Sequence, residues 1–243
     1  MPNYELDYKN CKIKYYPNGA SKLIVFNDNV YNSRPEFRKK RGKYKMTTTT
    51  EKESNIRATK EKIFDIAYAN IDKWEYFVTL TLNEEVISRT DTKEISRRVN
   101  KWFYNSVSRK NCHFLLIPEY HKDQNSIHFH GLISGDFNFV DSGHKDKSKR
   151  IIYNLTDYKF GFTTAVKLDS DKSPIAVCKY ITKYCTKDTQ KIFGSRYLAG
   201  GRDLKRELPT LKTFFDFGML DAEEISIPNS NRKIKYAFIG VVE

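Results

Sequence analysis

The chain has 243 residues, of which 43 are Lys or Arg and 30 are Asp or Glu, giving a formal net charge of +13. Hydrophobic residues make up 39% and aromatic residues 14%, which excludes wholesale disorder and suits one large domain with additions. The positive charge favours a polyanionic partner, either nucleic acid or an anionic membrane surface, although an ordinary basic protein would have the same composition.

The cysteines and the lack of a long apolar segment bear on the compartment. Cys11, Cys112, Cys178 and Cys185 form no Cys-x-x-Cys pair, and the first residues lack the apolar core of a signal peptide. No stretch approaches the length of a membrane span. We therefore expect a cytoplasmic protein with free thiols and without a membrane partner.

Residues 1–73 are expected to be an extension ahead of the main domain. Alternation over residues 3–28, on either side of Pro17-Asn18-Gly19, predicts a β-hairpin. Helical spacing of apolar residues predicts a helix over about residues 50–70. Between them, residues 34–45 hold seven basic side chains and one acid, typical either of a solvated linker or of an arm that binds DNA phosphates. The centre of this basic run is Arg38, Lys39, Lys40 and Arg41.

Residues 74–188 are predicted to form an α+β domain in which helices pack on a central antiparallel sheet. Strands are expected at residues 74–82, 113–121, 127–134 and 161–168, and helices at 91–109 and 175–187. The polar residues 136–160 are expected to form an excursion from this domain. Residues 189–243 are expected to be a C-terminal extension with a strand-like run at 234–242.

Two histidines in one predicted strand are the first candidates for chemistry. In Ile127-His128-Phe129-His130-Gly131-Leu132 the alternation places both imidazoles on one face. Glu119 and His121 end the preceding strand, and a short turn would bring them beside the histidines. Two histidines and one carboxylate make a metal site with open coordination positions. A His-x-His pair is also common among ordinary core and surface residues. The carboxylate of Glu119 on the neighbouring strand is what favours a metal site over that simpler interpretation.

The last predicted helix of the domain carries a second candidate group. Tyr180 and Tyr184 are four residues apart and therefore share a helical face. A tyrosine hydroxyl can attack phosphorus and form a covalent phosphodiester. Lys183 and Lys187 repeat the same spacing and could stabilise the charge that develops. Without the histidines, the simpler interpretation would be two tyrosines against a sheet and two solvated lysines.

Three motifs stand in order within residues 74–188. They are Phe77-Val-Thr-Leu-Thr81, then Pro118-Glu-Tyr-His121 with His128-Phe-His130-Gly-Leu132, and finally Tyr180-Ile-Thr-Lys183-Tyr184-Cys-Thr-Lys187. Together they resemble the HUH endonucleases, specifically the rolling-circle replication initiators of single-stranded DNA phages and plasmids.

The resemblance implies a fold and a set of site residues. The fold is a sheet like the palm of RNA-recognition domains, with the histidines on the central strands. Mg²⁺ or Mn²⁺ would be held by Glu119, His128 and His130. Tyr180 and Tyr184 match the paired nucleophiles of the two-tyrosine, phage-type branch, although either alone would fit the single-tyrosine branch. Among the remaining residues with an expected role, His121 would support the metal site or touch substrate, and Thr79 and Thr81 would contact nucleic acid.

The implied activity is that of a metal-dependent DNA endonuclease and strand transferase. It would nick single-stranded DNA at a replication origin, leave a 5′-phosphotyrosine and a priming 3′-hydroxyl, and rejoin the strand after a round of synthesis. The sequence has no Gly-x-x-x-x-Gly-Lys-Ser/Thr phosphate loop, so a host helicase and polymerase in a bacterial cytoplasm would be required.

Three alternatives remain open at the level of sequence. An HUH transposase or relaxase would use the same chemistry on different DNA. A non-catalytic α+β module would bind nucleic acid without a metal ion. An Fe(II) oxygenase would use two histidines and a carboxylate, but it would gain nothing from the tyrosines or the positive charge.

Overall fold

The structure is a computed structural model that describes residues 8–31, 49–121, 123, 126–168, 173–185, 194–214, 223–226 and 233–239. Within these residues the strands are β1 (Tyr8–Tyr15), β2 (Ser21–Tyr31), β3 (Tyr76–Leu80), β4 (His113–Tyr120), β5 (Ile127–Ser134), β6 (Phe139–Lys145), β7 (Ile151–Leu155), β8 (Thr163–Lys167), β9 (Leu198–Gly200), β10 (Thr210–Thr213), β11 (Glu223–Ser226) and β12 (Lys233–Ile239). The α-helices are α1 (Thr49–Ala69), α2 (Thr92–Arg109) and α3 (Pro174–Thr182).

The chain divides into two compact units. Met1–Ser54 and Glu207–Glu243 form the first unit, and Asn55–Arg206 forms the second. The boundaries predicted from sequence, after residues 73 and 188, stay a prediction about domain organisation. The basic run with Arg38, Lys39, Lys40 and Arg41 lies outside the described residues.

The first unit is built on a five-stranded antiparallel sheet in the order β10-β1-β2-β12-β11. The predicted N-terminal hairpin is confirmed, since β1 and β2 pair across the turn at Pro17-Asn18-Gly19. Gly19 has φ +84, a conformation that glycine adopts without a steric penalty. The C-terminal run predicted as strand-like forms β12, which pairs with β2.

The second unit is built on a seven-stranded antiparallel sheet in the order β6-β7-β8-β3-β5-β4-β9. This arrangement confirms the predicted α+β class with a central antiparallel sheet. Helix α2 covers one face of the sheet. The buried core between the helix and this face includes Val78, Leu80, Ile95, Val99, Phe103, Phe114, Leu116, Phe129 and Ile133. Because side chains alternate along each strand, the opposite face carries the histidines.

Helix α2 forms where the apolar spacing predicted it. Ile95, Val99 and Phe103 recur every four residues and are fully buried. Asp91 caps the helix, because its carboxylate accepts hydrogen bonds from the backbone N–H groups of Lys93 and Glu94 at 2.8 and 3.1 Å. The helix therefore begins at a residue that satisfies its first free donors.

Residues 136–160 were expected to leave the domain, and this expectation is wrong. They form β6 and β7, a hairpin that extends the sheet from β8. The ring of Phe139 stacks on Tyr76 with a centroid distance of 3.8 Å, and Tyr153 meets Tyr76 edge-on at 5.8 Å. A bulge between Asp141 and His144 shifts the register and breaks the alternation that would have marked a strand.

The predicted extent of the last helix is also wrong. Helix α3 ends at Thr182 rather than near residue 187. The backbone N–H groups of Lys183 and Tyr184 bond to the carbonyls of Tyr180 and Ile181 at 3.1 and 3.3 Å. Such bonds three residues back tighten the final turn of a helix and use its terminal carbonyls. Tyr184 therefore lies just beyond the helix.

Replacing Gly131 with alanine is expected to destabilise the protein. A Cβ at Gly131 would lie 2.4 Å from the backbone oxygen of Leu115 and 2.4 Å from Leu116 Cδ2. Since the carbonyl cannot move without disturbing the strand pair, we expect Gly131→Ala to lower the free energy of unfolding by about 3 kcal/mol in urea denaturation.

Gly143→Ala is the control for this experiment. Gly143 has φ +76 and nothing within 4 Å of an added Cβ, so only backbone strain of about 1 kcal/mol is expected. If the two variants lowered the free energy of unfolding equally, a steric role for Gly131 would be contradicted.

Candidate metal and tyrosine site

The pairing of β4 with β5 brings the predicted metal ligands together. Glu119 lies directly opposite His128 in the register, and Ile117 lies opposite His130. Glu119 Oε2 is 3.3 Å from His128 Nε2 and 3.2 Å from His130 Nε2. Their side chains are 29%, 15% and 12% exposed, respectively. These residues form a cluster that could hold a metal ion.

The geometry of this cluster fits a divalent ion with open positions. Ligand atoms on neighbouring corners of an octahedron with bonds of about 2.1 Å lie roughly 3 Å apart, close to the observed spacing. Thr79 Oγ1 lies 3.1 Å from His130 Nδ1. With His130 Nε2 directed at an ion, the ring proton lies on Nδ1 and is donated to Thr79, which fixes the tautomer.

The charge state of the two imidazoles also suits metal binding. Burial, followed by the nearby charge of His128, lowers the pKa of His130 to about 3. Burial also lowers the pKa of His128, although Glu119 opposes that effect. Both rings are therefore neutral near pH 7, the form in which histidine binds metals. Their contacts with Glu119 are not salt bridges at that pH.

Tyr184 lies against the His–His–Glu cluster, and Tyr180 lies against Tyr184. The ring of Tyr184 stacks on His130 with a centroid distance of 3.8 Å and an interplanar angle of 22°. The hydroxyls of Tyr180 and Tyr184 are 2.8 Å apart and share a hydrogen bond. Burial raises the pKa of Tyr184 well above its usual range, aided by the hydrogen bond and charge of Tyr180 and by the charge of Glu119. Tyr184 is thus the inner tyrosine, whereas Tyr180 is 45% exposed.

Phe77 begins the first of the three motifs, but no role at the site was predicted for it. Its ring centroid lies 5.2 Å from Tyr180, 5.8 Å from Tyr184 and 6.4 Å from His130. The available signal was its position two residues before Thr79, on the same face of the strand. Phe77 packs beside both tyrosines and so helps to hold them next to the histidines.

The other predicted residues surround the cluster and the tyrosines or contact neighbouring loops. Lys183 Nζ is 5.5 Å from the ring centroid of Tyr180, and the ring of His121 is 5.7 Å from that of His128. Thr81 Oγ1 bonds to the backbone oxygen and nitrogen of Phe162 at 3.0 and 3.1 Å. The Thr81 hydroxyl therefore holds the loop before β8. Lys187 lies outside the described residues.

An antiparallel sheet that presents a His–His–Glu cluster beside two hydrogen-bonded tyrosines has the arrangement expected of the HUH class. Residues 75–189 match the family model described as replication-associated protein ORF2/G2P. This match confirms the resemblance drawn from the three motifs and is consistent with a rolling-circle replication initiator. Comparison with curated proteins gives no match, and neither does comparison with solved structures.

Two further observations concern the remaining sequence-based expectations. All four cysteines are free, as predicted, and the structure buries each of them. Among the described helices, none combines the length and the apolar character needed to cross a membrane.

Thr79→Val is expected to weaken metal binding. The substitution keeps the size of the side chain but removes the hydroxyl that orients His130. Loss of such a supporting hydrogen bond typically costs about 10–100-fold in metal affinity, and we expect a reduction of that size for Mn²⁺ by isothermal titration calorimetry.

Thr81→Val is the matched control, because its hydroxyl contacts Phe162 and no histidine. It should bind Mn²⁺ like the unaltered protein. If the two variants bind Mn²⁺ equally well, Thr79 does not orient the cluster.

Proposed function

We propose that this protein nicks and rejoins single-stranded DNA at a replication origin, and thereby initiates and terminates rolling-circle replication. The observation that carries the proposal is the stacking of Tyr184 on His130, with the Tyr180 hydroxyl bonded to that of Tyr184. Two potential nucleophiles therefore lie against a cluster suited to a metal ion. The family match to replication-associated proteins supports the same function.

Glu119, His128 and His130 would hold Mg²⁺ or Mn²⁺. A bound ion of this kind would polarise the scissile phosphate and neutralise charge as the phosphodiester is cleaved. Thr79 would keep His130 in the binding tautomer, and His121 would contribute from beside His128. The chain itself thus supplies both the ligands and their orientation.

The tyrosines would carry the covalent step. The hydroxyl oxygen of Tyr184 attacks phosphorus, the bond from phosphorus to the 3′-oxygen breaks, and the 3′-oxygen takes up a proton from solvent. The raised pKa of Tyr184 means that the resting phenol is protonated, so its proton must leave as the new bond forms. The Tyr180 hydroxyl, 2.8 Å away, can take up this proton while it releases its own proton to solvent, because Tyr180 is 45% exposed. After one round of synthesis, Tyr180 would attack the regenerated site.

Positive charge would assist this step and bind the DNA. Lys183 lies over the ring of Tyr180 and would stabilise negative charge on that side chain. We assign the same role to Lys187. Thr79 and Thr81 would lie along the path of the DNA. The basic run Arg38, Lys39, Lys40 and Arg41 would bind phosphates.

The cellular setting belongs to the same proposal. A nicked origin offers a 3′-hydroxyl but does not unwind itself, so a host helicase and a host polymerase would complete the reaction. We place the protein in the cytoplasm of a bacterial host. Mapping the cut site would distinguish an origin from the DNA ends used by an HUH transposase or relaxase.

The tyrosine assignment predicts unequal effects of two substitutions. Tyr184→Phe should slow formation of the first covalent DNA adduct by at least about 100-fold, because it removes the inner nucleophile. Tyr180→Phe should slow it by roughly tenfold, because only the proton relay from Tyr184 to solvent is lost. The measurement uses a labelled single-stranded origin oligonucleotide with Mn²⁺, followed by denaturing gels and mass spectrometry of the DNA-linked peptide.

Tyr104→Phe is the control, since Tyr104 is an exposed tyrosine on α2, which covers the other face of the sheet. It should form adduct at the unaltered rate. If the double variant Tyr180→Phe/Tyr184→Phe still formed adduct, neither residue would be the nucleophile.

Metal removal gives an independent test. Chelation with EDTA should abolish adduct formation, and added Mn²⁺ should restore it in the unaltered protein. Glu119→Gln should need at least about tenfold more Mn²⁺ for half-maximal restoration, because a charged ligand becomes a neutral amide. Glu85→Gln, an exposed carboxylate outside the cluster, is the control and should follow the unaltered protein. Adduct formation that persisted in EDTA would argue against a metal-assisted reaction.

A further inference from the structure

A cavity of about 580 Å³ opens beside the two tyrosines, on the same side of the sheet as the histidines. We propose that this cavity, here called the flank cavity, binds the base of one unpaired nucleotide next to the cleaved phosphodiester and sets the base preference there. The proposal rests on the proposed function and specifies how that site would recognise its DNA. The volume lies within the range of roughly 300–1,000 Å³ found for small-ligand sites.

The floor of the flank cavity is an apolar strip across three strands. In the register, Phe77 pairs with Val166 on β8, and Val166 pairs with Ile152 on β7. All three line the cavity, and all three are only partly buried. Ala176 and Val177, from the first turns of α3, line it as well. Apolar surfaces of this kind, with an aromatic ring at one end, suit the flat faces of a nucleobase.

The far wall of the flank cavity carries an arginine that is held in place. Arg150 follows the turn between β6 and β7, and its Nε and a terminal nitrogen bond to Asp146 Oδ2 at 2.8 and 2.6 Å. The other oxygen of Asp146 accepts the backbone N–H groups of Ser148 and Arg150 at 2.8 and 2.9 Å. Asp146 also lines the cavity and offsets the charge of Arg150, so the guanidinium presents mainly a planar surface and hydrogen-bond donors, both of which suit a nucleobase.

The position of the flank cavity identifies its occupant. Tyr180 and Tyr184 line one end of it, so a molecule in the cavity abuts the phosphorus that the tyrosines attack. The group nearest to that phosphorus is the neighbouring nucleotide of the same strand, to which it is covalently linked. A free small molecule would have to compete with this nucleotide, whose covalent link to the bound phosphodiester gives it a high effective concentration at the cavity.

The first experiment removes a base from the DNA and leaves the protein unaltered. A series of single-stranded origin oligonucleotides, each with one abasic position on either side of the nick, is tested with Mn²⁺ at subsaturating DNA. At one flanking position, loss of the base should slow adduct formation by about tenfold in the unaltered protein, in line with the usual contribution of base stacking. Binding of the same oligonucleotides is measured in parallel by fluorescence anisotropy.

Two variants then test whether that base lies in the flank cavity. Ala176→Phe fills the cavity from an exposed helix position, so the fold should tolerate it, as circular dichroism would show. It should slow the reaction on intact DNA by about tenfold, whereas the abasic position should cost nothing further. Arg150→Ala should likewise reduce the abasic penalty and the preference among the four bases at that position.

Lys147→Ala is the matched control. It removes the same charge from the same turn, but Lys147 does not line the cavity. It should keep the full abasic penalty. If the penalty persists in both Ala176→Phe and Arg150→Ala, or if Lys147→Ala reduces it as much as Arg150→Ala, the base does not lie in this cavity. If no DNA formed an adduct, the proposed function would fail, and the anisotropy series would still decide whether the cavity holds a base.

Discussion

The antiparallel pairing of β4 with β5 is the constraint on which the site depends. Glu119 lies opposite His128 only in this register, and a slip of one residue would turn one strand's polar groups into the core. Buried Leu116 and Phe129 hold the register on the core face. Gly131 allows the two strands to approach, because any side chain there would meet the backbone of Leu115. Gly131, next to His130, is therefore needed for the geometry of the candidate metal site, although it has no ligand atom.

The two faces of the sheet have separate tasks. The face under α2 is apolar and supplies stability through burial. The other face carries imidazoles that are nearly buried, and polar groups placed there are costly unless they have partners. Thr79 and Glu119 provide such partners for His130. These contacts offset the cost of burying the neutral ring of His130, whereas Nδ1 of His128 is buried without a hydrogen-bond partner.

The end of α3 determines how the tyrosines meet the histidines. The helix stops at Thr182, and the tightened turn that follows carries Tyr184. Tyr184 can then stack on His130 while its hydroxyl still reaches that of Tyr180. Phe77 fills the space beside both rings. From the His–His–Glu cluster towards solvent, the contacts therefore run from His130 to Tyr184 and then to Tyr180.

The cluster itself could be predicted because its parts are local. Alternation over residues 127–132 places both histidines on one face, and a turn of a few residues brings Glu119 beside them. The order of the three motifs was enough to indicate a family resemblance, and residues 75–189 match a family model consistent with it. These inferences needed only the period of a strand and the reach of a short loop.

Tertiary structure decided what depends on strands that are distant in sequence. The placement of β3 between β5 and β8 brings Thr79 to His130 and Phe77 to the tyrosines. Residues 139–155 join the sheet as β6 and β7, despite their polar composition and a bulge, and their rings at Phe139 and Tyr153 pack on Tyr76. The flank cavity exists only because that hairpin lies beside β8. The sequence by itself thus determined which groups share a face, since alternation is local, whereas pairing between remote strands decided which faces became neighbours.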